Sequence, residues 1–128
     1  KICELLQEYG LENAVVNMGN SSVLALGHYP LADGWKVNFG QGVAGQEKER
    51  PGILLRNECL TTSGNNSHER KHIINPQSGK PVEGERKVAV VTANGAVGEV
   101  LSTSLFVADA RQRELLKMEF CPRLILDL

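Results

Sequence analysis

The stretch KVAVVTANGAVGEVLSTSLFVA, residues 87–108, decides the fold class, because its apolar period changes part-way along. Lys87 to Thr92 is the clearest strand pattern in the chain, a short apolar, β-branched run. From Gly95 the spacing turns helical, and Val97, Val100, Leu101, Ser104, Leu105 and Ala108 predict one buried helix face. Asp109, with Gln112 three residues later, predicts a capping box that opens a second helix through Leu115 and Leu116. Phe120 to Leu128 reads as a closing strand.

Upstream, Ile2, Leu5, Leu6 and Tyr9 fall at i, i+3, i+4 and i+7 and predict a helix, with Gly10 placed for a left-handed cap. Short β-type runs follow at Ala14 to Met18, Val23 to Leu26, Trp35 to Phe39 and Ile53 to Leu55, separated by Gly, Asn, Ser, Pro and Asp. Thr61 onward reads as a strand entering a polar loop, and Lys71 to Ile74 as a strand ending near Pro76. This order of helix, strands, two helices and strand predicts an α+β fold. Its sheet should be mostly antiparallel and backed by helices, in one domain over residues 1–128.

Composition narrows the function classes. A formal net charge of −1 with scattered Lys and Arg lacks the basic face that nucleic acid requires. Aromatic residues at 5% leave little for base stacking. No run reaches the roughly 18 to 20 apolar residues of a membrane span. The chain opens inside a helical pattern without a Met, so an upstream segment is expected. Cys3, Cys59 and Cys121 form no CxxC pair and are expected to be buried thiols.

Gly40, Gly42 and Gly45 form a literal G-x-G-x-x-G. The residues after it, QEKERPG, are polar and broken by Pro51 where a dinucleotide site needs a helix, so a loop is expected there. The Asn20 and Asn65 triplets match glycosylation sequons and are taken as chance.

Three segments carry polar groups that a plain core does not require. TTSG, Thr61 to Gly64, is either an ordinary turn or a place where backbone and hydroxyls approach a ligand. HIINPQSG, His72 to Gly79, offers an imidazole suited to proton transfer, or one that bonds a neighbouring carbonyl. GEVLSTS, Gly98 to Ser104, places Glu99 and Thr103 on one helix face with Ser102 at its border. That face is either solvated or an oxygen donor set for Mg²⁺ near a helix N-terminus that favours phosphate.

Taken in order, VVNMGNSSVLALG, GWKVNFG, TTSG, HIINPQSG, VAVVT and GEVLSTSLFVA resemble the FAD:protein FMN transferases, the ApbE-type flavin transferases. The likeness spans about Lys1 to Ala108 and corresponds to the second half of that family's fold. It implies a first half that lies outside this chain and supplies further FAD contacts. It also implies contacts to FAD from Gly19, Asn20, Ser21, Thr62, Ser63, Gly64, His72, Ile73 and Ile74. Glu99 and Thr103 fall at the family's metal-binding positions, with Ser102 between them as a further candidate ligand, and His72 is the candidate catalytic group. The family's usual Asp is Asn75 in the His motif and Glu99 at the metal position; its Thr is Ser78, and its Gly-Gly-acidic turn is Gly19-Asn20-Ser21.

The activity implied is Mg²⁺-dependent transfer of FMN from FAD to a Thr or Ser hydroxyl of a flavoprotein acceptor, with release of AMP. The alternatives are an FAD-binding homologue without transfer activity and a scaffold domain. Family members act in the bacterial cell envelope, often lipid-anchored, which is the localisation the resemblance implies.

Overall fold

The computed structural model describes residues 1–19, 21–38, 52–65 and 71–128. The elements are α1 (Ile2–Glu8), β1 (Ala14–Asn17), β2 (Ser22–Leu26), β3 (Trp35–Val37), β4 (Ile53–Leu55), β5 (Glu58–Gly64), β6 (Lys87–Thr92), α2 (Gly95–Val107), α3 (Ala110–Phe120) and β7 (Leu124–Asp127). Five strands join in the order β1-β2-β5-β6-β7, and β3 pairs with β4. The β3–β4, β5–β6 and β6–β7 pairings are antiparallel. The fold is therefore α+β with an antiparallel sheet, as the sequence predicts.

Contacts divide the described residues into two compact units. The first comprises Lys1–Val16 and Ala25–Asn57, the second Asn17–Leu24 and Glu58–Leu128. In the first, the Trp35 indole donates to the Leu26 carbonyl at 2.9 Å and the ring meets Tyr29 edge-on. Helix α1 ends as expected, with Gly10 at φ +75° donating to the Gln7 carbonyl. None of its residues is buried, so the stripe of Ile2, Leu5 and Tyr9 stays exposed.

The second unit packs α2 onto β5 and β6. Its core is Ile73, Val88, Val90, Leu101, Leu105 and Phe106, with Val82, Val107, Leu116 and Ile125 against it. Strand alternation explains which residues meet the helix. Ser63 pairs with Val88, Thr61 with Val90 and Cys59 with Thr92, so these six share the helix-facing side.

The buried face of α2 is rotated from the one its apolar residues predict. Gly98, Leu101, Ser102, Leu105 and Phe106 are buried, while Val100 is 60% exposed. The reason is steric. A Cβ on Gly98 would lie 2.5 Å from Thr61 Oγ1 and 2.8 Å from Thr92 Oγ1, so only a bare backbone fits that approach.

Both ends of α2 are held. The Asn94 side chain accepts from the Ala96 and Val97 amides at the N-terminus. At the other end, Arg86 donates to the Phe106 carbonyl at 2.6 Å and lies over its ring. Arg113 donates to the Leu105 carbonyl and, from Nη2, to both oxygens of the Asp127 carboxylate.

The predicted capping box of Asp109 and Gln112 is present. Asp109→Ala should lower the unfolding free energy by about 1 kcal/mol. That is readable as an earlier denaturant midpoint at unchanged slope.

Other expectations are corrected. Lys71 to Ile74 forms no strand beyond a bridge between Ile74 and Pro81, because the chain reverses at once through Asn75, whose amide donates to the Lys80 carbonyl. The closing strand starts at Leu124 rather than Phe120; α3 continues through Phe120 and is capped by Cys121 at φ 42°. Of the three cysteines, only Cys59 is buried, while Cys121 is exposed. The loop expected at Gly40, Gly42 and Gly45, along with Phe39 and Asn20, lies outside the described residues.

Candidate functional site

Helix α2 carries Glu99 on the turn after its capped N-terminus, and Thr103 stands one turn further along the same face. The Glu99 carboxylate accepts a hydrogen bond from Ser22 and lies 3.5 Å from the Ser21 hydroxyl. The two serines are themselves 3.3 Å apart. They follow the turn at Gly19, whose φ of +75° suits glycine and whose missing side chain faces open space. The Thr62 amide donates to the Ser21 carbonyl at 2.7 Å, which ties this turn to the TTSG strand end.

Ser63 is the second junction. Its hydroxyl is 2.8 Å from Ser102 Oγ and 2.8 Å from Thr103 Oγ1. Ser102 is fully buried and donates to the Glu99 carbonyl at 3.3 Å, the back-bonding typical of serine within a helix. Beneath this row Thr61 is 1% exposed, and its hydroxyl has no hydrogen-bond partner among the described residues. It faces Gly98 across the close approach.

Glu99, Ser21, Ser63, Ser102 and Thr103 are thus drawn into one cluster from three separate segments. Within it Ser102 is turned under the helix and not outward. Thr62 falls on the opposite face of β5 from Ser63 by strand alternation. The glycine at 64 answers to its neighbour strand, since a Cβ there would lie 2.3 Å from the Arg86 carbonyl oxygen.

In the His segment, Ile73 is buried in the core, while His72 and Ile74 are exposed. Ile73 accepts from the Val82 amide at 2.9 Å. Among the described residues no hydrogen bond joins His72 to the hydroxyl cluster. Asn75 accepts from the Gln77 and Ser78 amides and so closes its own turn. Ser22 was not among the sequence candidates. Its one signal is its position directly after Ser21, and only the fold shows it against Glu99.

No group of three or more His, Cys, Asp or Glu side chains is placed to hold a metal ion among the described residues. The donors present are one carboxylate and several hydroxyl oxygens. They are hard ligands of the type Mg²⁺ accepts, and they would form part of its shell.

A profile described as the ApbE family matches residues 1–122. The chain belongs to the ApbE family. A FAD:protein FMN transferase of Rhodobacter capsulatus is 36% identical over 112 residues, a match covering 77% of this chain and 20% of that protein. Flavin transferase ApbE from Vibrio cholerae superposes with a TM-score of 0.72 at 19% identity, over 98% of this chain and 41% of that one. The Pseudomonas stutzeri flavinyl transferase ApbE, in its apo form, gives 0.70 at 22% identity with the same coverage. The two structures establish the family's fold for this chain. The chain spans about a fifth of the curated relative's length and under half of the solved ones.

Proposed function

We propose that the protein carrying this chain is a flavin transferase that moves FMN from FAD to a hydroxyl of a flavoprotein, and that this chain supplies part of its active site. The observation that carries the reading is the convergence on α2. Glu99 meets the Ser21–Ser22 turn, and Ser63 meets Thr103. The Ser21–Ser22 stretch, the TTSG strand end and the GEVLSTS helix start, which resemble flavin and metal segments of the family, are therefore neighbours in space. Family membership and the Rhodobacter capsulatus relative support the same activity.

In this reading the acceptor's Thr or Ser oxygen forms a bond to the FMN-side phosphorus of FAD. The bond from that phosphorus to the bridging oxygen breaks, AMP leaves, and the hydroxyl proton is taken up by a base. Mg²⁺, when bound, would neutralise pyrophosphate charge and hold its oxygens in line. Glu99 and Thr103 are the residues of this chain that would hold it. His72 stands exposed for the proton or for orienting the phosphate, and the buried Ile73 anchors the backbone beside it. Gly19, Asn20, Ser21, Thr62, Gly64 and Ile74 are assigned to FAD contact on the family pattern.

The test is the transfer itself. The full-length protein is incubated with FAD, Mg²⁺ and a candidate acceptor, and mass spectrometry follows both products. A covalent FMN adduct together with released AMP, both abolished by chelation, is the expected result. FAD bound tightly with no adduct on any of several acceptors would sink the transferase reading in favour of a flavin-binding homologue.

A further inference from the structure

The hydroxyls of Ser102, Ser63 and Thr103 form a chain whose hydrogen-bond direction is fixed from its inner end. A carbonyl oxygen only accepts, so the bond from Ser102 to the Glu99 carbonyl uses the single hydroxyl hydrogen of Ser102. Ser102 must then accept from Ser63 across their 2.8 Å contact. With its own hydrogen committed, Ser63 must accept from Thr103 across the second 2.8 Å contact. The Thr103 hydrogen therefore points inward, and its free lone pairs are the part left to face solvent.

We propose that Ser63 is a positioning residue that turns the Thr103 hydroxyl outward as a pure acceptor and so favours a divalent cation there over a phosphate oxygen. This rests on the cation reading of Glu99 and Thr103 given above. An outward hydroxyl hydrogen would offer a phosphate a donor, whereas an outward lone pair offers a cation a ligand. Ser63 itself need not touch the ion. Outer partners of this kind orient the ligand and raise its basicity, and their loss commonly weakens metal binding about 10- to 100-fold.

The experiment is Mn²⁺ titration of the full-length protein, with free ion read by electron paramagnetic resonance and without any turnover. Ser63→Ala should weaken Mn²⁺ binding about tenfold or more, and Ser63→Thr, which keeps a hydroxyl, should restore most of it. Ser102→Ala is the sharper variant. Ser102 is fully buried and cannot reach an ion in solvent, yet its loss frees the Ser63 hydrogen to swing toward Thr103 and release the Thr103 hydrogen outward. It should weaken Mn²⁺ binding as well.

Unchanged affinity in Ser63→Ala and Ser102→Ala, against a wild type that binds, would overturn the inference and leave the cation reading standing. A melting temperature lowered without metal, at unchanged Mn²⁺ affinity, would mark a purely structural role and overturn it too. A wild type that takes up no Mn²⁺, with or without FAD, would remove both.

Discussion

Glu99→Ala should lower FMN transfer by about two to three orders of magnitude, the scale seen when one preorganised charge-stabilising group is removed from an active site. The side chain is exposed on α2, and its hydrogen bonds run to the two serines of the preceding turn. Alanine is a better helix former than glutamate, which offsets part of the lost bonding. The melting temperature should therefore move little while transfer collapses. Rate is read from accumulation of the FMN adduct, and fold from the thermal transition of the same sample. Transfer at the wild-type rate would mean that the hydroxyl cluster around Glu99 is not the reaction centre.

The second large effect belongs to a residue with no side chain. Gly98→Val should cost about 2 to 3 kcal/mol in stability, in the range for overpacking a filled interface. The new carbon would meet Thr61 Oγ1 at 2.5 Å and Thr92 Oγ1 at 2.8 Å, and both neighbours sit on the rigid sheet. The helix must lift or slide, carrying Glu99 and Thr103 with it. A displacement of about 1 Å at a reacting centre can cost 100-fold in rate, so transfer should fall beyond what the unfolded fraction explains. Combining Gly98→Val with Thr61→Ala removes one of the two obstructions. Denaturant unfolding of the double variant should show less destabilisation than the sum of the singles. Simple additivity would show that the contact at Thr61 is not what resists the larger residue.

That glycine also shows where sequence reading succeeds and where it stops. The change of period after Thr92 located β6 and α2 correctly, because strand and helix patterns differ in any window of this length. The rotation of α2 was not legible. Hydropathy ranks Val100 above Gly98 and Ser102, yet the sheet beneath is lined by Cys59, Thr61 and Ser63, which admit small residues at close range. Small and hydroxyl-bearing positions carry weak apolar signal, so a seam built from them is invisible to periodicity.

The ends of α2 were half legible. The spacing did not single out Asn94 as a cap, and the arginines that close the other end come from residue 86 and from α3. Asn75 is the reverse case. It stands where the family has Asp, and its side-chain oxygen closes a turn, a task an amide and a carboxylate perform alike. The cluster of Glu99, Ser21 and Ser63 was legible only as three separate motifs. Ser22 was missed because nothing in its spacing points seventy-seven residues ahead to Glu99.

Strand β6 lies between β5 and β7, paired on both edges, and its residues from Val88 to Thr92 are all buried. Its amides are flanked by paired strands on both edges, so they should exchange with solvent only when the whole second unit unfolds. The floor on which α2 rests should then be among the last parts of the second unit to exchange with solvent, a result that hydrogen exchange would read directly.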